Sequence, residues 1–102
     1  MSEDRFKSFK EFYPFYLSEH TDKTNRVLHF IGTTIVILFF ITALILKKWS
    51  LIWICPLAGY GFAWVGHFFF QKNRPATFKY PFYSLAGDFV MWYQLLTRKI
   101  YF

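Results

Sequence analysis

Two apolar runs dominate this chain, and a single pair of lysines divides them. Val27–Leu46 and Trp49–Gln71 contain no Lys, Arg, Asp or Glu, and only Lys47 and Lys48 lie between. At the helical rise of about 1.5 Å per residue, each run is long enough to cross a hydrocarbon core of about 30 Å. A third stretch, Tyr80 to Thr97, is broken only by Asp88. Hydrophobic residues make up 55% of the 102 positions and charged ones 18%, too little polar covering for a small soluble domain. The pattern predicts an all-α integral membrane bundle in one domain, 1–102, with spans at about 26–46, 50–71 and 80–97. A cleavable signal peptide does not fit a start studded with charges. Cys55, the single cysteine, has no disulfide partner.

Ahead of the spans, Phe6, Phe9, Tyr13 and Tyr16 recur at helical spacing between Arg5, Lys7, Lys10 and Glu11. This predicts an amphipathic helix at about 4–19, lying at the membrane interface, with Pro14 kinking it or starting a second short turn. The polar stretch 20–25 breaks it, and Thr24 or Asn25 is the expected N-cap of the first span. Pro56 should bend the second span. Gly59, Gly61 and Gly66 are expected to let helices pack closely.

Eight basic residues (Arg5, Lys7, Lys10, Lys23, Arg26, Lys72, Arg74, Lys79) fall on one side of such a bundle. Lys47, Lys48, Arg98 and Lys99 fall on the other. The excess places the amino terminus and the 72–81 loop in the cytoplasm. The net charge of +6 suits anionic headgroups or acidic ligands. Nucleic acid is a poor match, because the basic residues cluster at span ends instead of forming a stripe. Nothing in the pattern sets an oligomeric state.

All three histidines fall in one thin slab near that side. His29 lies about one turn inside the first span, His67 about one turn before the end of the second, and His20 just ahead of the break. Asn25, Gln71 and Asn73 share the slab. Two readings stand side by side. In one, His20, His29 and His67 bind a metal, since neutral imidazoles suit Fe(II), Zn(II) or Cu and ionisable groups inside a membrane are costly enough to signal function. Gln71, Asn25 or Asp88 would then fix the imidazole tautomers. In the other, each histidine is an interfacial residue bonded to a neighbour. Asp88 is a possible further ligand or the partner of a loop arginine such as Arg74. Arg26, Lys72 and Arg74 are candidates to meet a substrate carboxylate.

Two motifs carry a resemblance. "YLSEHTDKTNRVLHFIG" holds His20, Asn25, His29 and Gly32 as H-x4-N-x3-H-x2-G, and "GHFFFQKNRPA" holds Gly66, His67, Gln71, Lys72, Pro75 and Ala76. From Phe12 to about Arg98 the chain resembles a family of small membrane proteins that includes the fungal 2-hydroxy fatty acid dioxygenase of phytosphingosine metabolism. The resemblance implies an Fe(II)-dependent enzyme using O₂ to shorten a 2-hydroxy fatty acid by one carbon, with His20, His29 and His67 as its essential histidines. The family commonly has glutamate where this chain has Gln71. The alternatives are a bis-histidine haem electron carrier through His29 and His67, or a non-catalytic lipid-binding or scaffold module.

Overall fold

The computed structural model describes residues 6–102; Asp4 and Arg5, part of the expected amino-terminal helix, lie outside the described residues. The described chain is all-helical, without a strand. Helix α1 spans Phe9–Ser18, α2 Lys23–Leu46, α3 Ile54–Val65 and α4 Pro81–Leu96. Short 3₁₀ turns at Trp49–Trp53 and Ala76–Phe78 and a π-helical turn at Gly66–Gln71 complete the path.

Helix α1 starts at Ser8, whose hydroxyl accepts from the Glu11 amide, and continues through Pro14 as one element, without the second turn expected there. Helix α2 is capped by Asp22, not by Thr24 or Asn25. The Asp22 carboxylate accepts from the Asn25 amide at 2.9 Å, because aspartate three residues ahead of a free amide meets the N-cap requirement. The left-handed Lys47 ends α2. The chain then returns antiparallel through the 3₁₀ turn into α3. Pro56 is the third residue of α3, a first-turn position where its missing amide costs little.

Glycines set the α2–α3 spacing. A Cβ on Gly32 would fall 2.9 Å from Phe62 Cβ, and one on Gly59 would fall 3.2 Å from Val36 Cγ2. Gly61 has nothing near it, so the close-packing role expected of it is absent.

Both α2 and the continuous helical stretch Trp49–Gln71 are long and apolar enough to cross a membrane, and only 22% and 17% of their most apolar windows are buried. Helices forming a soluble core would have hidden most of that surface. Leu38, Ile45, Trp53 and Leu57 are among the large apolar side chains left exposed.

The buried apolar cluster lies elsewhere, at the end where α2 begins. Phe12 and Tyr16 of α1 pack with Ala76, Tyr80, Met91 and Leu95. The apolar face of α1 is thus taken up by α4 and the loop before it. Helix α4, Pro81–Leu96, falls within one residue at each end of the stretch expected as a third span. Its far end returns to the start of α2, where Arg26 donates to the Tyr101 carbonyl and Phe30 packs edge-on against Phe102 at 5.4 Å. A span would carry Arg98 and Lys99 on the order of 30 Å away from Arg26. The Tyr101 contact instead holds them near it, because α4 lies along α1 through Tyr13–Gln94 and Tyr16–Asp88 hydrogen bonds.

Candidate metal centre

Each histidine reaches the centre from a different element. His20 follows α1, His29 lies on the second turn of α2, and His67 is the second residue of the π-helical turn. The fold brings these distant positions together and buries all three, with no ring more than 5% exposed. Ring centroids lie 4.4, 4.5 and 4.9 Å apart, and the planes are nearly perpendicular, at 78° to 89°. One ring nitrogen from each lies within 4.8 Å of the others.

The outer nitrogens settle the protonation. His20 Nδ1 lies 2.6 Å from the Tyr16 carbonyl and His29 Nδ1 3.0 Å from the Asn25 carbonyl. A carbonyl only accepts, so both Nδ1 atoms carry the proton. His67 Nδ1 lies 2.6 Å from Asn73 Oδ1, while Asn73 Nδ2 donates to the Glu19 carbonyl at 3.1 Å. That second bond fixes which end of the amide faces the ring, so His67 Nδ1 is also the donor. All three neutral imidazoles therefore turn a bare Nε2 lone pair inward. His20 Nε2 and His29 Nε2 are 3.1 Å apart, and without a proton between them this contact is lone pair against lone pair. A shared cation would relieve it. Burial, then His29 and His67 beside it, hold the His20 pKa well below the usual range, so a metal ion fits better than a proton.

The space agrees. Beside the rings is a void of about 20 Å³, lined also by Tyr16, Ser84 and Asp88, close to the volume of one water or one ion. Ser84 Oγ is buried with no hydrogen-bond partner among the described residues, an orphan that a bound group would satisfy. Two nitrogens bound to one ion at about 2.0–2.1 Å, at right angles or tetrahedrally, stand roughly 2.8–3.4 Å apart, which brackets the 3.1 Å between His20 Nε2 and His29 Nε2. The haem alternative fails this test. A haem held by His29 and His67 would need a porphyrin between the two rings, and a void of about 20 Å³ admits no macrocycle.

The other sequence candidates separate. Asn25 touches the centre through its carbonyl alone. Its side chain is turned to Gly66, where a Cβ would collide with Oδ1, and its Nδ2 donates to Gln71 Oε1 at 3.1 Å. Gln71 touches no imidazole; Oε1 also accepts from the Asp22 amide at 2.7 Å, and Nε2 donates to Thr21 Oγ1 at 2.8 Å. Gln71 thus clasps the start of α2 to the end of the second long helix. Asp88 accepts from Tyr16 Oη in place of the loop arginine expected as its partner. Arg26 donates to the His20 carbonyl at 2.5 Å. Lys72 and Arg74 line an outer cleft with Phe68, Phe69 and Asn73, away from the void.

Sequence reasoning passed over three residues, Ser84 among them, which read only as part of the third apolar stretch. Asn73 was in the slab, but nothing in its spacing singled it out. Tyr16 read only as part of an apolar face, yet its ring stacks on His20 at 4.0 Å while its carbonyl orients that ring. No sequence pattern marks a backbone carbonyl as a partner.

The arrangement can hold one divalent ion on three neutral nitrogens, with coordination positions left for exogenous ligands. No curated protein and no solved structure matches the chain. The family model described as 2-hydroxy-palmitic acid dioxygenase Mpo1-like matches residues 6–100. The chain belongs to that family.

Proposed function

We propose that this chain is an Fe(II)-dependent dioxygenase of 2-hydroxy fatty acids, with His20, His29 and His67 holding the iron. The observation that carries the reading is the convergence of three Nε2 lone pairs on a water-sized void in a member of a dioxygenase family. The overall reaction balances: R–CH(OH)–COOH + O₂ gives R–COOH + CO₂ + H₂O. The bond between the carboxyl and hydroxyl-bearing carbons breaks, and the four electrons leaving those two carbons reduce O₂. Iron(II), when bound, supplies the unpaired electrons that allow O₂ to react.

The chain's own residues orient the participants. Tyr16, Asn25 and Asn73 keep each Nδ1 protonated, so that Nε2 remains the donor to metal. Ser84 offers its free hydroxyl to the substrate carboxylate, and Tyr16 holds the Asp88 side chain at the edge of the void. Arg26, Lys72 and Arg74 contribute positive charge that draws an anionic headgroup towards this end of the molecule.

In this reading the chain is an integral membrane protein in which α2 and Trp49–Gln71 form a transmembrane hairpin, and α1, the 72–81 loop and α4 cover its cytoplasmic end. Lys7, Lys10, Lys23, Arg26, Lys72, Arg74 and Lys79 belong to that end, against Lys47 and Lys48 at the other. Arg98 and Lys99 join the larger group once the chain end returns to Arg26. A lipid-borne acid would thus reach the centre from the inner leaflet.

The test is anaerobic purification, metal analysis, and oxygen uptake on adding 2-hydroxypalmitic acid. About one iron per chain and a fatty acid product one carbon shorter are expected. Undiminished metal content after His20, His29 and His67 are all changed to alanine would reject the site.

A further inference from the structure

A second cavity opens directly off the centre. It has a volume of about 270 Å³ and lies among α2, α3 and α4. His29 and Asp88 line both this cavity and the void around the histidines. Away from that end the wall is almost entirely apolar, formed by Val36, Pro56, Gly59, Leu85 and Phe89, with Cys55 beside Val36. Seven residues of α2 separate His29 from Val36, about 10 Å of depth. Cys55 marks the far end, its Sγ lying 3.6 Å from the Val36 carbonyl. Tyr60, Leu85 and Phe89 are more than a third exposed, so the cavity opens sideways between α3 and α4.

We infer that this cavity is the seat of the substrate's alkyl chain, entered laterally from the bilayer, and that it encloses only the part of the chain nearest the reacting carbons. The inference rests on the dioxygenase reading. The polar end and apolar wall match a molecule with one charged head and one tail. A cavity of about 150 Å³ takes the six carbons of benzene, so about 270 Å³ takes roughly ten or eleven. That is one tail, not the two of a membrane phospholipid, and it leaves the remainder of a sixteen-carbon acid in the lipid. A tail moving from bilayer to this wall gains little hydrophobic free energy, because lipid is as apolar as leucine. The seat therefore positions the reacting carbons by shape, not by affinity.

Cys55, the one cysteine of the chain, reports on occupancy without mutation. Iron-loaded protein in phosphatidylcholine vesicles is treated anaerobically with methyl methanethiosulfonate, and the same sample is assayed for oxygen uptake in air. Saturating 2-hydroxypalmitic acid should slow Cys55 modification at least tenfold. 2-Hydroxybutyric acid, too short to span about 10 Å from His29, should leave the rate within twofold. Protection without oxygen uptake keeps the seat and rejects the oxygenase. Oxygen uptake with Cys55 modified at its original rate rejects the seat alone, and absence of both rejects both. A thiol already shielded in vesicles, and unaffected by either acid, would assign the cavity to bilayer lipid and overturn the proposal.

Discussion

His67 Nδ1 lies 2.6 Å from Asn73 Oδ1, and the same amide donates to the Glu19 carbonyl at 3.1 Å. One side chain in the loop after the second long helix therefore fixes the His67 tautomer and ties that ring to the end of α1. Partners of this kind are worth about 10- to 100-fold in metal affinity. Asn73→Ala should weaken metal binding by that factor in a competitive chelator titration. Asn73→Asp, which still accepts from Nδ1, should retain most of the affinity. Equal affinities for Asn73→Ala and the unmodified protein would show that His67 needs no orientation.

Gln71 stands where the resemblance implies a glutamate, and its bonds say what the exchange costs. Its oxygen receives the Asp22 amide and Asn25 Nδ2, while its nitrogen reaches Thr21. A glutamate would keep the two accepting bonds and could receive the third from the Thr21 hydroxyl. Gln71→Glu should leave metal affinity within about threefold, because no imidazole touches this side chain. Gln71→Ala strands the Asp22 and Asn25 donors and should cost about 1–3 kcal/mol. Thermal unfolding beside metal titration separates the two effects. A large change in affinity for Gln71→Glu would place residue 71 in the metal's environment after all.

The metal-free protein should lose stability in acid. Burial, reinforced by His29 and His67, lowers the His20 pKa in the folded state, whereas an unfolded histidine titrates near 6.5. Below about pH 6.5 the unfolded chain binds a proton that the folded one refuses, so stability falls as pH falls through that value and is fully present above it. Unfolding midpoints of chelator-treated protein across pH 5–8 should show this slope, and His20→Gln should flatten it. A midpoint that rises on acidification would contradict the neutral, buried imidazole.

What the sequence revealed and what it concealed divide along physical lines. The two long apolar helices were legible because charge is excluded from Val27–Leu46 and Trp49–Gln71. The histidine cluster was legible because antiparallel helices return to the same depth. The path of α4 was not, since an apolar stretch of that length reads alike whether it crosses a bilayer or lies along α1. The decisive contacts, Tyr13 to Gln94 and Arg26 to the Tyr101 carbonyl, join positions 81 and 75 residues apart and leave no periodic trace. The partners of His20 and His29 are backbone carbonyls, which every residue has. The π-helical turn at Gly66–Gln71 also escapes helical periodicity, and with it the turning of Gln71 towards Asn25 instead of His67.

Tyr16 joins the core to the centre, and its substitutions should separate those roles. Its hydroxyl bonds Asp88, its ring stacks on His20 at 4.0 Å, and its carbonyl receives His20 Nδ1. The ring also fills the space at Gly87, where an added Cβ would stand 2.8 Å from Tyr16 Cδ2. Tyr16→Phe removes only the hydroxyl and leaves a partly buried carboxyl without its donor, at a cost of about 1–3 kcal/mol, while the ring and carbonyl continue to hold His20. Metal affinity should therefore stay within a few-fold of the original. Tyr16→Ala removes a ring that is only 1% exposed, costs about 3–5 kcal/mol, and releases one face of His20, so affinity should fall together with stability. Calorimetric unfolding and chelator competition on both variants would check this. A Tyr16→Phe variant that folds normally yet loses the metal would move the Tyr16–Asp88 pair from scaffold to metal environment.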